Sequence, residues 1–356
     1  MLKKILNKLV IKRKPVRIPT NYSPNILLTS YCNQNCSFCF ASHLMGKRNK
    51  TNHISFEKYA KLLDYLEKNG INEVFLMGGE PTMHPDFIKI IRETVDRGFA
   101  IELFTNGVFS DEIRDFLISL GNQIKMYHLN LAAPIYGKSN VAKKKLAEFV
   151  RVVKNFSDIS LTLTIDSFEQ NYLKQVLSIG LNNLKNCSVR IGVAGLFTWK
   201  DGFSLKKNKE IGKMIVSMSC ELLSKRHVKS VYLTEITRCM FEDDEWKNIE
   251  KMKNQKKIKF LGFGCKGKRA SMELKSNFRG IRCYGLSGLG EISIMSGMLE
   301  GRVKGKNSLI NVADELDRRR IEHTKKILPL ECRLCKYHGY DGGEMCPGPC
   351  LIKEKS

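Results

Sequence analysis

No run of about 18 apolar residues occurs in this chain, so no segment has the length and apolarity to span a bilayer as a helix. The amino terminus, MLKKILNKLVIKRKPVRIPTNY, has apolar residues at Leu2, Ile5, Leu6, Leu9 and Val10. It lacks the longer apolar core and small-residue cleavage site of a secretory signal, which argues against export. Internal repeats and low-complexity tracts are missing too. Acidic residues are scarce: 36 Asp and Glu stand against 60 Lys and Arg, a net charge of +24. Such a balance favours acidic partners, whether nucleic acid, an anionic membrane or an acidic peptide, although a lysine-rich surface without any partner gives the same number. What is present is a chain of 356 residues, 42% hydrophobic and 27% charged, which reads as a globular protein of about two domains. Its 12 cysteines, without an export signal, place it in the reducing cytoplasm, where thiolates meet metals or substrates more often than each other.

From residue 25 the pattern alternates. NILLTSYC is a short apolar run, followed by SFEKYAKLLDYLEKNG with helical spacing, Ser55 as N-cap and Gly70 as stop. INEVFLMGGEP and DFIKIIRETVDRG come next, then AIELFTNG with DEIRDFLISLG and IKMYHLNLAAP with SNVAKKKLAEFVRVVKN. ISLTLTID with EQNYLKQVLSIG and NCSVRIGVAG with a helix near 208 to 225 complete the series. Six such units imply parallel strands joined by crossover helices in a barrel or partial barrel, with chemistry at the carboxyl ends of the strands. Past residue 245 the rhythm is lost, and Lys-rich and Gly-rich segments carry six cysteines between Cys265 and Cys350. The expected organisation is a basic amphipathic segment over 1 to 24, a core over 25 to 244 and a smaller cysteine-rich domain over 245 to 356. The first segment either lies on an anionic membrane or packs on the barrel.

After the first strand, SYCNQNCSFCFAS holds Cys32, Cys36 and Cys39, with no further cysteine or histidine until His43 and no further cysteine until Cys187. Three thiolates on one loop can hold three irons of a cubane cluster and leave the fourth open to a small molecule. Structural zinc is usually closed and four-coordinate, with its ligands in two short clips. The C-x3-C-x2-C spacing, with Phe38 before the last cysteine, resembles the radical S-adenosylmethionine (SAM) enzymes over roughly residues 25 to 240. The resemblance implies a partial (β/α)6 TIM-like barrel of the α/β class and a 4Fe-4S cluster on Cys32, Cys36 and Cys39. It further implies SAM chelated at the open iron and, on reduction, a 5'-deoxyadenosyl radical that abstracts hydrogen from substrate. The electron would come from a donor such as flavodoxin or ferredoxin. MGGEP, with Gly78, Gly79, Glu80 and Pro81, matches the family's stretch for the methionine amine, and Asn106 in FTNG matches the third-strand end near the SAM ribose. Asn130 and Asp166, at the fourth and fifth strand ends, and Ser139 in YGKSN are further candidates for SAM. Each has a structural alternative: a turn for Asn106, a strand terminus for Asn130 and Asp166, a helix N-cap for Ser139.

In the tail, Cys265 and Cys283 precede Cys332, Cys335, Cys346 and Cys350 in the spacing C-x2-C-x10-C-x3-C. This region resembles the SPASM or twitch extension of radical SAM enzymes, including a glycine turn between short strands in GLGEISIM. The resemblance implies one or two auxiliary 4Fe-4S clusters, with Cys265, Cys283 and Cys350 on one and Cys332, Cys335 and Cys346 on the other. Met295 and Ser296 stand where the family usually has a cysteine. A ribbon of zinc is the alternative from spacing alone. Cys187 and Cys220 read as buried small hydrophobes, and Cys239 as ambiguous. The implied activity is a peptide maturase that crosslinks, epimerises or oxidises its substrate. The alternatives are a radical SAM enzyme for a small molecule such as a sugar or alcohol, one for RNA, and a non-enzymatic, zinc-stabilised nucleic-acid-binding protein. Nucleic acid is the less favoured partner, because few aromatics lie among the basic residues.

Overall fold

The computed structural model describes residues 24–39, 41–42, 53–168, 187–194, 204–225, 228–234, 238–255, 257–260, 272–281, 290–295, 298 and 309–327. The expected N-terminal amphipathic segment and the helix in EQNYLKQVLSIG lie outside them.

Eight strands run parallel in chain order: β1 (Asn25–Leu27), β2 (Glu73–Met77), β3 (Ala100–Thr105), β4 (Ile124–Asn130), β5 (Asp158–Ile165), β6 (Cys187–Val193), β7 (Val228–Thr234) and β8 (Ile258–Phe260). The first six are those expected from the sequence, and β7 and β8 extend the run. Between them come α1 (Phe56–Lys68), α2 (Phe87–Asp96), α3 (Asp111–Ser119), α4 (Ile135–Lys138), α5 (Asn140–Val153), α6 (Leu205–Ser224) and α7 (Asp243–Asn254). Among the described residues the sheet does not close: its ends are β8 and, beyond β1, a small antiparallel ribbon of β9 (Glu273–Leu274), β10 (Arg279–Ile281) and β11 (Ile292–Ser293). This is a partial barrel. β9 pairs parallel with β1, Asn25 opposite Glu273, so the C-terminal region adds to the sheet at the cysteine-bearing strand. The hairpin expected around GLGEISIM appears as the antiparallel pairing of β10 with β11.

The local reasons are visible in the letters. Tyr59, Leu62, Leu63 and Leu66 recur at helical spacing and form the buried stripe of α1, while the Ser55 hydroxyl accepts from the Lys58 amide at its start. Ser110, Ser139 and Ser204 cap α3, α5 and α6 in the same way. Because strands follow one another in order and right-handed crossovers return on the same side, the helices share one face of the sheet. That face is apolar: Val74, Leu76, Ile101, Leu103, Tyr127, Leu129, Leu161, Leu163, Val189, Ile191, Val231 and Leu233 are all buried in one cluster with helix residues such as Leu62, Ile90, Phe149 and Ile215. Alternate residues point the other way. On that inner face lie Phe75, Met77, Phe104, Met126, His128, Asn130, Thr162, Thr164, Ser188, Arg190 and Tyr232, all half-buried.

The C-terminal region, marked in the sequence by its cysteines, also has an apolar anchor. Its described part is held by apolar packing continuous with the barrel: Met272, Leu274, Phe278, Ile294 and, from α8 (Leu309–Ile327), Leu309, Val312 and Leu316 belong to the same cluster. The Tyr65 hydroxyl on α1 accepts from the Leu309 amide at 3.2 Å. Lysines around Ile258 and the short lengths of β9 to β11 hid this from the sequence pattern.

The two faces should respond differently to truncation. Leu161→Ala, on the helix side, is expected to cost about 3 kcal/mol through lost burial and a cavity, whereas Thr162→Ala, one residue on, should cost about 1 kcal/mol or less. Urea melts of the two variants check this, and equal losses would refute the two-faced sheet.

Candidate functional site

The three cysteines sit where β1 ends. After Leu28 the chain continues alongside the end of β2, the Gly79 amide donating to the Thr29 carbonyl at 2.8 Å and the Glu80 amide to the Tyr31 carbonyl at 2.9 Å. Gly78 and Gly79 make this approach feasible. A Cβ at Gly79 would lie 2.4 Å from the Tyr31 carbonyl oxygen and 2.9 Å from the Cys32 Cβ, and one at Gly78 would lie 2.7 Å from the Thr29 carbonyl oxygen. The glycine pair of GGEP is therefore required by its fit against the entry to the cysteine loop.

Four other places hold the loop. Asn33 Nδ2 donates to the Val108 carbonyl at 2.6 Å, and its Oδ1 accepts from Asn106 Nδ2 at 2.9 Å. Gln34 Oε1 accepts from the Ile135 amide at the start of α4. Ser37 Oγ donates to Asp166 Oδ2 at 2.9 Å, just past β5. Within the loop, the Cys39 amide donates to the Cys36 carbonyl, and Cys32 Sγ accepts from the Gln34 amide. The ends of β1, β2, β3 and β5 thus converge on one short segment. Asn33, Gln34 and Ser37 were not singled out from the sequence; their position inside the C-x3-C-x2-C stretch was the available signal.

The candidates from the strand ends have distinct surroundings. Glu80 is fully buried, and its Oε1 accepts from the hydroxyls of Thr82 and Thr105, each at 2.7 Å, and from the Thr82 amide. Its Oε2 accepts from the Asn106 amide at 2.7 Å. Burial pushes this carboxyl above its ordinary range against the pull of those donors. Glu80 is placed to lock β2 to β3 beneath the site, and Pro81 begins the 3-10 turn Pro81–Met83. Asn106 forms a turn, its Oδ1 accepting from the Val108 amide, and its carbonyl accepts from the buried Tyr136 hydroxyl. Asn130 Oδ1 accepts from the Ala132 amide. Ser139 is the α5 N-cap, accepting from the Ala142 amide. Phe38 is half-buried at the loop. His84 is structural, bonded through its two ring nitrogens to the Ile54 carbonyl and the Asp86 amide. Cys265, Cys283, Cys332, Cys335, Cys346 and Cys350 lie outside the described residues.

Cys32, Cys36 and Cys39 are half-buried free thiols. Burial pushes Cys32 up to about 11 and Cys36 up to about 12, the latter also through the neighbouring Cys39, Cys32 and Asp166, and it raises Cys39. A metal binding here would therefore displace protons from all three. Among the described residues, no three Cys, His, Asp or Glu side chains gather around a point that would hold one metal ion. A cubane cluster instead takes one thiolate per iron, and three soft sulfur donors on one loop fit that requirement. On the inner side, Leu27, Ala41, Cys39 and Met77 form a small apolar patch under the loop.

A family model described as the radical SAM superfamily matches residues 26–168. The chain is 33% identical over 107 residues to the tungsten-containing aldehyde ferredoxin oxidoreductase cofactor-modifying protein of Pyrococcus furiosus, a match covering 29% of each protein. It is 31% identical over 87 residues to the S-adenosylmethionine-dependent nucleotide dehydratase of Selenomonas ruminantium, covering 24% of this chain and 30% of that one. The matches thus span under a third of either relative. In fold it is similar to Streptococcus suis SuiB bound to the precursor peptide SuiA, with a TM-score of 0.51 and 14% identity over 83% of this chain and 65% of that one.

Gly79→Ala should force the Tyr31 and Cys32 backbone outward, lowering stability by about 1–3 kcal/mol and the iron retained after anaerobic reconstitution. Asn33→Ala, which removes two tethers without overpacking, should reduce retained iron with a smaller fall in Tm. Wild-type iron in Gly79→Ala would show that the close contact does not set the loop.

Proposed function

We propose that this chain, which carries a radical SAM domain over residues 26–168, is a radical SAM enzyme that abstracts hydrogen from a peptide and so acts as a peptide maturase. The observation that carries the chemistry is the cysteine loop, fixed at once by Gly79, Asn106, Ile135 and Asp166. When bound, a 4Fe-4S cluster with SAM supplies the electron that cleaves the sulfonium bond and the 5'-deoxyadenosyl radical that removes the hydrogen.

The chain's own residues bind and orient. Cys32, Cys36 and Cys39 would hold three irons, losing their protons as they do so. The SAM candidates are the backbone of Gly78 and Gly79, with Asn106, Asn130 and Asp166 at the next strand ends and Phe38 and Ser139 at the rim. Glu80 serves them indirectly, by holding the two glycines level with Asn106. Leu27, Met77 and Ala41 exclude water from the inner side of Cys39. Radical abstraction needs no general base from these residues.

The peptide assignment is supported by a fold shared with SuiB, which binds the precursor peptide SuiA, and by an inner sheet face that no described helix covers. A small-molecule substrate is the second reading, prompted by the nucleotide dehydratase similar to the radical SAM domain. One or two auxiliary clusters on the six tail cysteines and an electron donor such as flavodoxin or ferredoxin complete the proposal.

Metal analysis of anaerobically reconstituted protein tests the core of it. The Cys32→Ala, Cys36→Ala, Cys39→Ala triple variant should lose about four irons, retain about four to eight in the tail, and lose SAM cleavage. Zinc without appreciable iron in both proteins would instead favour the nucleic-acid-binding reading. Mass spectrometry of candidate precursor peptides after incubation with enzyme, SAM and reductant should show hydrogen loss or a crosslink. Unchanged mass for every peptide encoded beside the gene would count against the maturase.

A further inference from the structure

Past Thr105 and Leu129, the last paired residues of β3 and β4, a buried hydroxyl joins the two strand ends. Tyr136, in the one-turn helix α4, is 2% exposed and donates to the Asn106 carbonyl at 2.5 Å. The residue before it, Ile135, donates its amide to Gln34 Oε1 at 3.3 Å. The residue before Gln34, Asn33, accepts at Oδ1 from Asn106 Nδ2 at 2.9 Å. These bonds close a ring of three pieces: the cysteine loop at Asn33 and Gln34, α4 at Ile135 and Tyr136, and the β3 end at Asn106. Each piece is tied to both of the others, so none can shift without straining two hydrogen bonds.

Three observations single out the phenol. Asn106 is buried and bonded on every side: its amide to Glu80 Oε2, its Nδ2 to Asn33, its Oδ1 from the Val108 amide and its carbonyl from Tyr136. Without the phenol that carbonyl would be left unpaired in the interior, which costs more than an exposed hydrogen bond is worth. Gly107, left-handed at φ 73°, lies against the same bond, since a Cβ there would be 3.0 Å from the Tyr136 hydroxyl and 2.6 Å from Leu146 Cδ1. The glycine of FTNG thus makes room for the phenol as well as for the turn. Burial, with the Glu80 carboxyl nearby, pushes the phenol above its ordinary range, so the hydroxyl keeps its proton and stays a donor. The SAM candidates fall on both sides of this link. Gly78, Gly79 and Asn106 lie at the ends of β2 and β3, whereas Asn130 and Ser139 lie on the chain from β4 to α5, with Tyr136 between them.

We infer that Tyr136 is a positioning residue for SAM: its hydroxyl locks the β3 end to α4 and so holds the two groups of SAM candidates at one fixed spacing beside the cysteine loop. The inference rests on the radical SAM reading for its ligand and on the hydrogen-bond ring for its geometry. It gives Tyr136 no contact with SAM and no proton to transfer. A ligand gripped from two strand ends binds tightly only when those ends already stand at their bound spacing, because freedom between them is lost on binding. The cysteines depend less on this bond. Asn33 to Val108, Ser37 to Asp166 and the amides of Gly79 and Glu80 hold their loop without it.

Tyr136→Phe in the reconstituted full chain should retain wild-type iron, weaken SAM binding about tenfold, and raise KM for SAM cleavage by a similar factor while kcat stays within about twofold. Tyr59→Phe is the control: it removes a buried hydroxyl bonded to Thr94 at 2.8 Å among the outer helices, and should lower Tm without moving KM. Hydrogen exchange of the full chain, with and without the cluster, should quicken over residues 31–39 and 105–108 in Tyr136→Phe and not in Tyr59→Phe. Wild-type SAM affinity in Tyr136→Phe, an equal rise of KM in Tyr59→Phe, a fall in kcat with KM unchanged, or unaltered exchange over both stretches would each overturn the assignment. Should Tyr136→Phe fail to fold, Gln34→Ala opens the same ring at α4 without disturbing a buried phenol, and a wild-type KM in that variant would overturn it instead. A wild-type chain that holds neither iron nor SAM would sink the radical SAM reading and the SAM role with it. The exchange comparison needs neither group, so failure of the ring and failure of that reading remain distinguishable.

Discussion

Handedness is the constraint on which the molecule depends. A parallel strand can reach its neighbour only by a crossover, and a right-handed crossover taken repeatedly in one direction leaves every helix on the same side. The sheet must then be fully apolar on that side. Its other side is released from packing and free to carry threonines, serines, an arginine and a tyrosine. Function is possible on the inner face because the outer face carries the burial. The strand ends that face the same way gather the cysteine loop as a direct result.

Within that frame the site is built by backbone proximity more than by side-chain reach. Two glycines let the end of β2 lie against the entry to the cysteines, and the buried carboxylate of Glu80 holds β2 and β3 level by accepting four hydrogen bonds. A buried carboxylate is costly unless fully bonded, and this one is bonded only when both strand ends are in register. The loop therefore inherits its position from the sheet. Asn33, Gln34 and Ser37 add ties to β3, α4 and β5, each short enough to tolerate little displacement.

The sequence carried much of this, unevenly. Tyr59, Leu62, Leu63 and Leu66 spell out α1, and Ser55 marks its start. The first six strands were equally plain because β-branched and apolar residues alternate or run together between turn signals. β7 and β8 were not, since Ile258 and Phe260 stand among lysines and a three-residue strand leaves little pattern to read. The triad was legible as spacing, but the partners of Asn33 and Asp166 lie 73 and 129 residues away, and no local pattern encodes such pairs. Glu80 and Ser139, candidates from their place beside the cysteine loop, also have roles within the fold that the sequence pattern did not show in full. Glu80 accepts four hydrogen bonds from the strand ends, and Ser139 accepts from the Ala142 amide as the α5 N-cap. That Thr162, Arg190 and Tyr232 stand opposite one another was invisible for a simpler reason: register between strands is a property of the sheet, not of any strand.

An open sheet has two free edges, and unpaired edges are where one chain can template another. Among the described residues the outermost strands are β8, three residues long with exposed Lys257 before it and exposed Lys259 within it, and β11, two residues long. The long inner strands are all paired on both sides, and even β1 is covered by β9. Outer strands this short, one of them flanked by lysines, offer neighbouring molecules little surface on which to extend the sheet. The excess of lysine that first looked like an affinity for acidic partners also works, at this edge, as protection against self-association.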